Sequence, residues 1–285
     1  MPHVLVAGRI HPAGLALLEA APDVTVEIVE AVSEAAYAPR IAAAHGLILR
    51  TQPLTAATVD AAPQLQVVAR HGVGYDAVDV AALDRRGIPL AIVGDVNAGA
   101  VAEHALMLML AAVKRLPRAD RAVRAGDWGW RNRLEAGELA GKRLLVVGYG
   151  RIGKRVARLS DALAMDVAVH DPHLPADAFA GAPVTPAPDL AAALAEAEVV
   201  TVNVPKADGA VLGRAELARL PAGAIVVNTA RGGVVDEAAL AEALASGRVA
   251  AAGLDVFEDE PPPVDHPLLA FDQVVLTPHH AGLTA

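Results

Sequence analysis

Cysteine is missing altogether from the 285 residues, which removes disulfides, thiolate nucleophiles and cysteine-based metal sites from consideration. Aromatic residues are scarce, at 3% against 54% hydrophobic residues overall, so the apolar bulk is Ala, Val and Leu. That mix suits helices packed on a buried parallel sheet better than an aromatic-rich β-sandwich. An excess of positive charge is lacking too. The formal net charge is −9, whereas a nucleic-acid partner calls for a basic face. Hydrophobic runs stay short: the longest, Ala105–Val113, falls well below a bilayer span. The opening Met1-Pro2-His3-Val4-Leu5-Val6-Ala7-Gly8 has no basic region, apolar stretch or cleavage site and reads as a first strand, so a cytoplasmic protein is expected.

What is present is alternation. Short β-branched runs are interleaved with Ala/Leu/Glu/Arg-rich stretches of helical period, the mark of βαβ units and parallel sheets. The first part predicts strands near Val4–Ala7, Val24–Val29, Leu47–Leu49, Val67–Ala69 and Ile88–Ile92, with helices near Ala13–Ala20, Glu34–Ala44 and Val80–Arg86. One long helix is expected from Ala98 to Arg124, apolar on almost every side and therefore buried between domains or subunits. An irregular arm bearing Trp128 and Trp130 follows. A second series then predicts strands at Arg143–Val147, Asp166–His170, Glu198–Asn203, Ala224–Asn228, Val249–Asp255 and Gln273–Thr277. Its helices start at Arg151, Asp189, Arg214 and Asp236, the last capped by Asp236 and ended by Gly247. The Pro-rich stretches 183–188 and 261–267 read as loops. The expected fold is α/β: two Rossmann-like, doubly wound parallel-sheet domains with a cleft between them. They would cover 1–95 and 96–277, with 278–285 crossing back to the first.

The run Leu144-Leu145-Val146-Val147-Gly148-Tyr149-Gly150-Arg151-Ile152-Gly153 is a strand, a G-x-G-x-x-G turn and a helix start. Gly148 permits the tight turn, Gly150 lets backbone approach a pyrophosphate, and Gly153 allows close packing of helix on strand. The free N–H groups of the helix start face the anion. Asp171 stands 23 residues past Gly148, where an acidic side chain meets the adenosine ribose hydroxyls and repels a 2′-phosphate. The pattern points to NAD in preference to NADP.

Three further segments place polar residues just after predicted strands: Asn228-Thr229-Ala230-Arg231-Gly232-Gly233, Leu254-Asp255-Val256-Phe257-Glu258-Asp259-Glu260-Pro261 and Leu276-Thr277-Pro278-His279-His280-Ala281-Gly282. Carboxyl ends of strands line the ligand crevice of open α/β sheets, so an Arg, a Glu and a His there could converge. With Ile48-Leu49-Arg50-Thr51, Ala69-Arg70-His71-Gly72-Val73-Gly74-Tyr75-Asp76 and Asn97–Ala105, these segments resemble the signatures of the D-isomer-specific 2-hydroxyacid dehydrogenases.

That resemblance implies an NAD-dependent oxidoreductase working on a small 2-hydroxy or 2-keto acid, of the phosphoglycerate, hydroxypyruvate or glyoxylate class. His279 would be the acid/base, Glu260 would orient its ring and raise its pKa, and Arg231 would fork onto the substrate carboxylate. Arg50, Thr51 and the backbone N–H groups around Gly72, Val73 and Gly74 would complete the substrate site. The cofactor would touch Gly148, Gly150, Arg151, Ile152, Gly153, Asp171, Pro205, Thr229, Ala230, Asp255 and His279. No metal is implied. Glu260 stands where formate dehydrogenases carry glutamine, which argues against that activity. Asn203 and Lys206 depart from the histidine and leucine usual in the family, on the adenosine side. His280 competes with His279 for the acid/base role, and the family pattern favours His279. His104 reads as a packed core or interface histidine, and His71, His170 and His266 have no partner that the sequence names. The apolar helix and the Trp arm lead to the expectation of a homodimer. Relatives continue past this last motif with a helix that returns to the first domain, so either a truncated form or a disordered tail beyond this point is expected. A second reading, from another class, is an NADH-sensing, corepressor-like binding protein, since the same fold serves such proteins.

Overall fold

Strands rich in Val, Leu and Ala and too apolar to leave either face wet dictate the architecture. The computed structural model describes residues 1–284, which form two compact units, Met1–Val96 and the remainder from Asn97 onward.

The first unit is a five-stranded parallel sheet of β1 (His3–Ala7), β2 (Thr25–Val29), β3 (Gly46–Leu49), β4 (Val67–Arg70) and β5 (Leu90–Ile92), in the order β2-β1-β3-β4-β5. Its helices are α1 (Pro12–Glu19), α2 (Glu34–Tyr37), α3 (Ala56–Asp60) and α4 (Val80–Arg85). Leu5, Leu47, Leu49 and Val68 from the sheet are buried with Tyr37, Ile41, Val59 and Leu83 in a single core. The strand order reverses between β1 and β3, and a crevice opens at the carboxyl ends of two strands that diverge in this way. Gly8 and Arg50, the residues just past those two strands, border it.

The second unit holds α5 (Ala98–Val113), α6 (Leu116–Arg124), β6 (Arg143–Val147), α7 (Arg151–Asp161), β7 (Asp166–His170), β8 (Thr185–Pro186), α8 (Leu190–Glu196), β9 (Val199–Val202), α9 (Arg214–Arg219), β10 (Ala224–Asn228), α10 (Glu237–Ala245), β11 (Val249–Leu254) and β12 (Val274–Leu276). All seven strands are parallel, in the order β12-β11-β10-β9-β6-β7-β8. Alternate residues of β6 feed separate cores: Leu144 and Val146 pack with α5 and α7, Leu145 and Val147 with α8, α9 and α10. Both faces of this sheet are therefore covered. The order reverses between β6 and β9, so Gly148 and Asn203 border the crevice of this unit.

The expected caps of α10 hold: Asp236 accepts the Ala239 N–H at 2.8 Å, and Gly247 follows the helix at φ +76°. The expected single helix from Ala98 to Arg124 does not. It breaks into α5 and α6 at Arg115, which is left-handed at φ 53°, with Pro117 in the first turn of the new helix. Proline offers no N–H and cannot sit inside a continuing helix. The Arg115 guanidinium anchors the break by donating to the Ala250 carbonyl at 2.6 Å. The buried face of α5 lies on its own sheet, where Leu108 sits so close to Gly253 that a Cβ there would come within 2.7 Å of it. Two smaller differences concern loops. The stretch 183–188 contributes the short edge strand β8, and the Trp arm contains a helical turn at Trp128–Arg133. Among the described residues no helix is long and apolar enough to cross a membrane.

Candidate active site

Three loops at the carboxyl ends of neighbouring strands build the site in the second unit. After β10 the Asn228 side chain shapes a turn: its Oδ1 accepts the Ala230 N–H and its Nδ2 donates to the Arg231 carbonyl, both at 2.9 Å. This turn throws Arg231 out of the sheet, and its guanidinium donates to the Ala230 carbonyl at 2.6 Å. Gly232 then presses on the backbone of Phe257 and Glu258, leaving no room for a Cβ. The turn after β10 and the loop after β11 are thereby held in direct contact.

Glu260 lies on that second loop. Its Oε1 accepts the Phe257 N–H at 3.1 Å and its Oε2 meets His279 Nδ1 at 2.6 Å. Glu237, the first residue of α10, holds the loop from behind. It accepts the Glu258 N–H at 2.7 Å on one oxygen and pairs with His266 Nε2 at 2.9 Å through the other. His266 Nδ1 accepts the Leu268 N–H, so its proton sits on Nε2 and points at Glu237.

The third loop carries His279 in a left-handed conformation, φ 47°, which costs a non-glycine residue about 1–3 kcal/mol. Asp255, 1% exposed, holds it there. Its carbonyl accepts the His279 N–H at 2.8 Å, and its carboxylate accepts the His280 N–H at 3.0 Å, the Ala281 N–H at 2.9 Å and the Thr277 hydroxyl at 2.6 Å. The Asp255 carboxylate, which the resemblance assigns to the cofactor, is engaged by these three donors. Residues 279–281 are tied to the second unit by these bonds.

The electrostatics follow from this geometry. The hydrogen bond that His279 donates to Glu260 raises the His279 pKa. Burial opposes the rise, the charges of Glu260 and Asp255 add to it, and Arg231 subtracts from it; the net shift is upward. For Glu260, burial pushes the carboxyl up, but the bonds from His279 and the Phe257 N–H outweigh it. With the charges of His279 and Arg231 they hold it below the usual range. Arg231 acts on both partners, so the guanidinium, carboxylate and imidazole expected from the sequence share one neighbourhood.

The glycine turn is built as the motif requires. Gly148 is at φ +90°, and a Cβ on it would lie 2.7 Å from the Asn203 carbonyl. Gly153 is buried with no room for a Cβ against the Gly148 carbonyl, while Gly150 faces open space at the start of α7, followed by Arg151 and Ile152. Asp171, just past β7, accepts the Tyr149 N–H at 2.9 Å and the His173 N–H at 3.1 Å. Pro205 lies in the loop after β9 and Thr229 in the turn after β10. Both side-chain amide atoms of Asn203, and the Thr229 hydroxyl, are buried without a hydrogen-bond partner in the described structure.

In the first unit, Arg50 and Thr51 follow β3, the Thr51 N–H donating to Gln52 Oε1 at 3.0 Å. The resemblance places backbone N–H groups around Gly72, Val73 and Gly74 at the substrate. The Gly72 N–H donates to the Arg70 carbonyl at 2.9 Å. Val73 and Gly74 follow it, both half-buried.

A family model described as D-isomer specific 2-hydroxyacid dehydrogenase, NAD binding domain, matches residues 106–281. The chain is 42% identical over 243 residues to the D-3-phosphoglycerate dehydrogenase of Archaeoglobus fulgidus, covering 84% of this chain and 46% of that protein. It is 40% identical over 239 residues to the glyoxylate reductase of Korarchaeum cryptofilum, covering 82% and 72% respectively. Among solved structures it matches the D-lactate dehydrogenase from Aquifex aeolicus complexed with NAD and lactic acid, with a TM-score of 0.89 and 27% identity over 99% of this chain and 89% of that one. The chain spans about half the length of the phosphoglycerate dehydrogenases that it matches.

The His279–Glu260 pair gives a direct check. The imidazole, followed by NMR, is expected to titrate above the ordinary value of about 6.5. Glu260→Gln, which removes the charge and keeps the shape, should bring that midpoint down; an unmoved midpoint would mean that the pair does not set it.

Proposed function

The chain belongs to the D-isomer specific 2-hydroxyacid dehydrogenase family, and from that premise we propose that it interconverts a small 2-hydroxy acid and its 2-keto acid with NAD. One observation carries the reading: Glu260 and His279 are bonded at 2.6 Å with the charge of Arg231 upon both, in the unit that holds the dinucleotide turn.

The residues present fit the cofactor. Gly148, Gly150 and Gly153 clear a path to the N-terminus of α7, and Asp171 stands at the end of β7 with lone pairs free for ribose hydroxyls. The unpartnered Asn203 and Thr229 atoms border the crevice, and a bound ligand would satisfy them. Arg151, Ile152, Pro205 and Ala230 lie on the same loops and belong to the proposed contact set. Bound NADH supplies a hydride to the substrate C2, and NAD accepts it in reverse.

His279, oriented by Glu260 through Nδ1, leaves Nε2 to give a proton to the keto oxygen on reduction and to take it from the hydroxyl on oxidation. Arg231 holds the carboxylate, a planar anion that a guanidinium grips through two parallel bonds. The proposal also assigns Arg50, Thr51, Val73 and Gly74, at the strand ends of the first unit, to substrate binding. A basic Arg50 suits a second anionic group and keeps a phosphorylated hydroxy acid beside hydroxypyruvate and glyoxylate as substrates. The same reading places the protein in the cytoplasm, where nicotinamide dinucleotides and keto acids are both at hand.

Turnover of NADH with a panel of 2-keto acids tests this. His279→Ala and Arg231→Ala are expected to bind NADH as the parent does and to lose about 10²–10⁴-fold in kcat/KM. Because the His279 pKa is raised, its acid form persists above the ordinary histidine range. Reduction should therefore fall, and oxidation rise, as pH climbs through that higher value. Variants that bind NADH and turn over like the parent would end the proposal.

We also propose a homodimer. The outer side of α5 and α7 forms an open groove of about 380 Å³ lined mainly by Leu106, Met107, Leu110, Leu116 and Leu159, and Trp128 stands 67% exposed. A second copy of the chain would cover these apolar side chains. Light scattering should report twice the chain mass; a monomer at micromolar concentration refutes it.

A further inference from the structure

His104 is not absorbed by the chemistry above, yet it contacts the group that shapes the catalytic loop. It projects from α5 with its side chain 10% exposed. Its Nε2 lies 2.9 Å from Thr277 Oγ1 and 3.5 Å from Asp255 Oδ1, and its ring meets that of His280 edge-on at 4.9 Å.

Proton accounting gives each contact a direction. Thr277 Oγ1 is 2.6 Å from Asp255 Oδ1, the distance of a hydroxyl donating to a carboxylate. Its one proton is thereby committed, and only its lone pairs remain for His104. His104 Nε2 must then carry the hydrogen. Burial lowers the His104 pKa, the Asp255 charge opposing and the neighbouring His280 adding to that effect, which suits a neutral ring protonated at Nε2. His104 Nε2–H thus donates to Thr277 and Thr277 O–H to Asp255, whose carboxylate also accepts the backbone N–H groups of His280 and Ala281 and whose carbonyl accepts that of His279.

We propose that His104 is a positioning residue for His279. By donating to Thr277 from a helix on the far side of Asp255, it fixes the carboxylate rotamer that holds the left-handed catalytic loop. The inference rests on the hydride-transfer reading for its kinetic consequence, but the structural link between His104 and the loop does not.

The test uses three variants in the full chain. His104→Leu keeps the bulk and removes the donor; His104→Gln places an amide N–H near the position of Nε2; Thr277→Val removes the relay. His104→Leu is expected to lower kcat for keto-acid reduction about ten-fold, the scale of one buried hydrogen bond. The NADH dissociation constant should stay within about two-fold, since neither His104 nor Thr277 is among the residues assigned to the dinucleotide, and amide exchange at residues 279–281 should quicken. His104→Gln should restore most of both. Thr277→Val should reproduce the loss, and adding His104→Leu to it should cost little more, because the two act in series. Parental kcat and loop exchange in His104→Leu would overturn the proposal, as would a glutamine variant no better than the leucine one. If the parent itself shows no turnover on any keto acid, the hydride-transfer reading fails alone. Loop exchange and the His279 titration, compared across the three variants, still decide the role of His104.

Discussion

A single buried carboxylate organises the chemistry of this molecule. Asp255 leaves the sheet at the end of β11; its carboxylate accepts two backbone N–H groups and one hydroxyl of the segment that follows β12, and its main-chain carbonyl accepts a third N–H, that of His279. A carboxylate removed from water is costly unless its oxygens are filled, and residues 277–281 fill them. The exchange works in both directions: the carboxylate gains its donors, and the segment gains a conformation that His279, as a non-glycine residue at positive φ, would not hold alone.

From that anchor the rest of the site follows outward. His279 meets Glu260 because the loop after β11 is pinned by Glu237 at Glu258 and at His266, two points on either side of Glu260. Arg231 reaches the same neighbourhood because Gly232 lets its turn lie against that loop. Parallel strands β10, β11 and β12 are neighbours in the sheet, so residues far apart in sequence converge wherever their strands end together. The dinucleotide turn stands two strands farther on from β10, at the reversal point beside β9.

Much of this was legible in the residues. Strands buried on both faces read as apolar runs, the glycine spacing marked the turn after β6, and the polar residues after β10, β11 and β12 stood out against them. What was not legible came from long-range partners. His104 reads as a core histidine because its helix is apolar; only the fold brings Thr277 and Asp255 to it. His266 and Glu237 are 29 positions apart in the numbering, and neither stands in a motif that announces a pair. The hydrogen bonds that engage the Asp255 carboxylate come largely from backbone groups, which carry no sequence signature. The split at Arg115 was foreshadowed by Pro117, but periodicity alone favoured one helix.

The account therefore stands on Asp255 as an organiser of the catalytic loop. Asp255→Asn is nearly isosteric and sets an amide NH₂ against at least one donor that the carboxylate now accepts. Amide hydrogen exchange measured in this variant, residue by residue, should show His280 and Ala281, whose N–H groups the carboxylate accepts, exchanging at least about ten-fold faster while the amides of β6 and β10 keep their protection. Unchanged protection at those two residues would contradict the account.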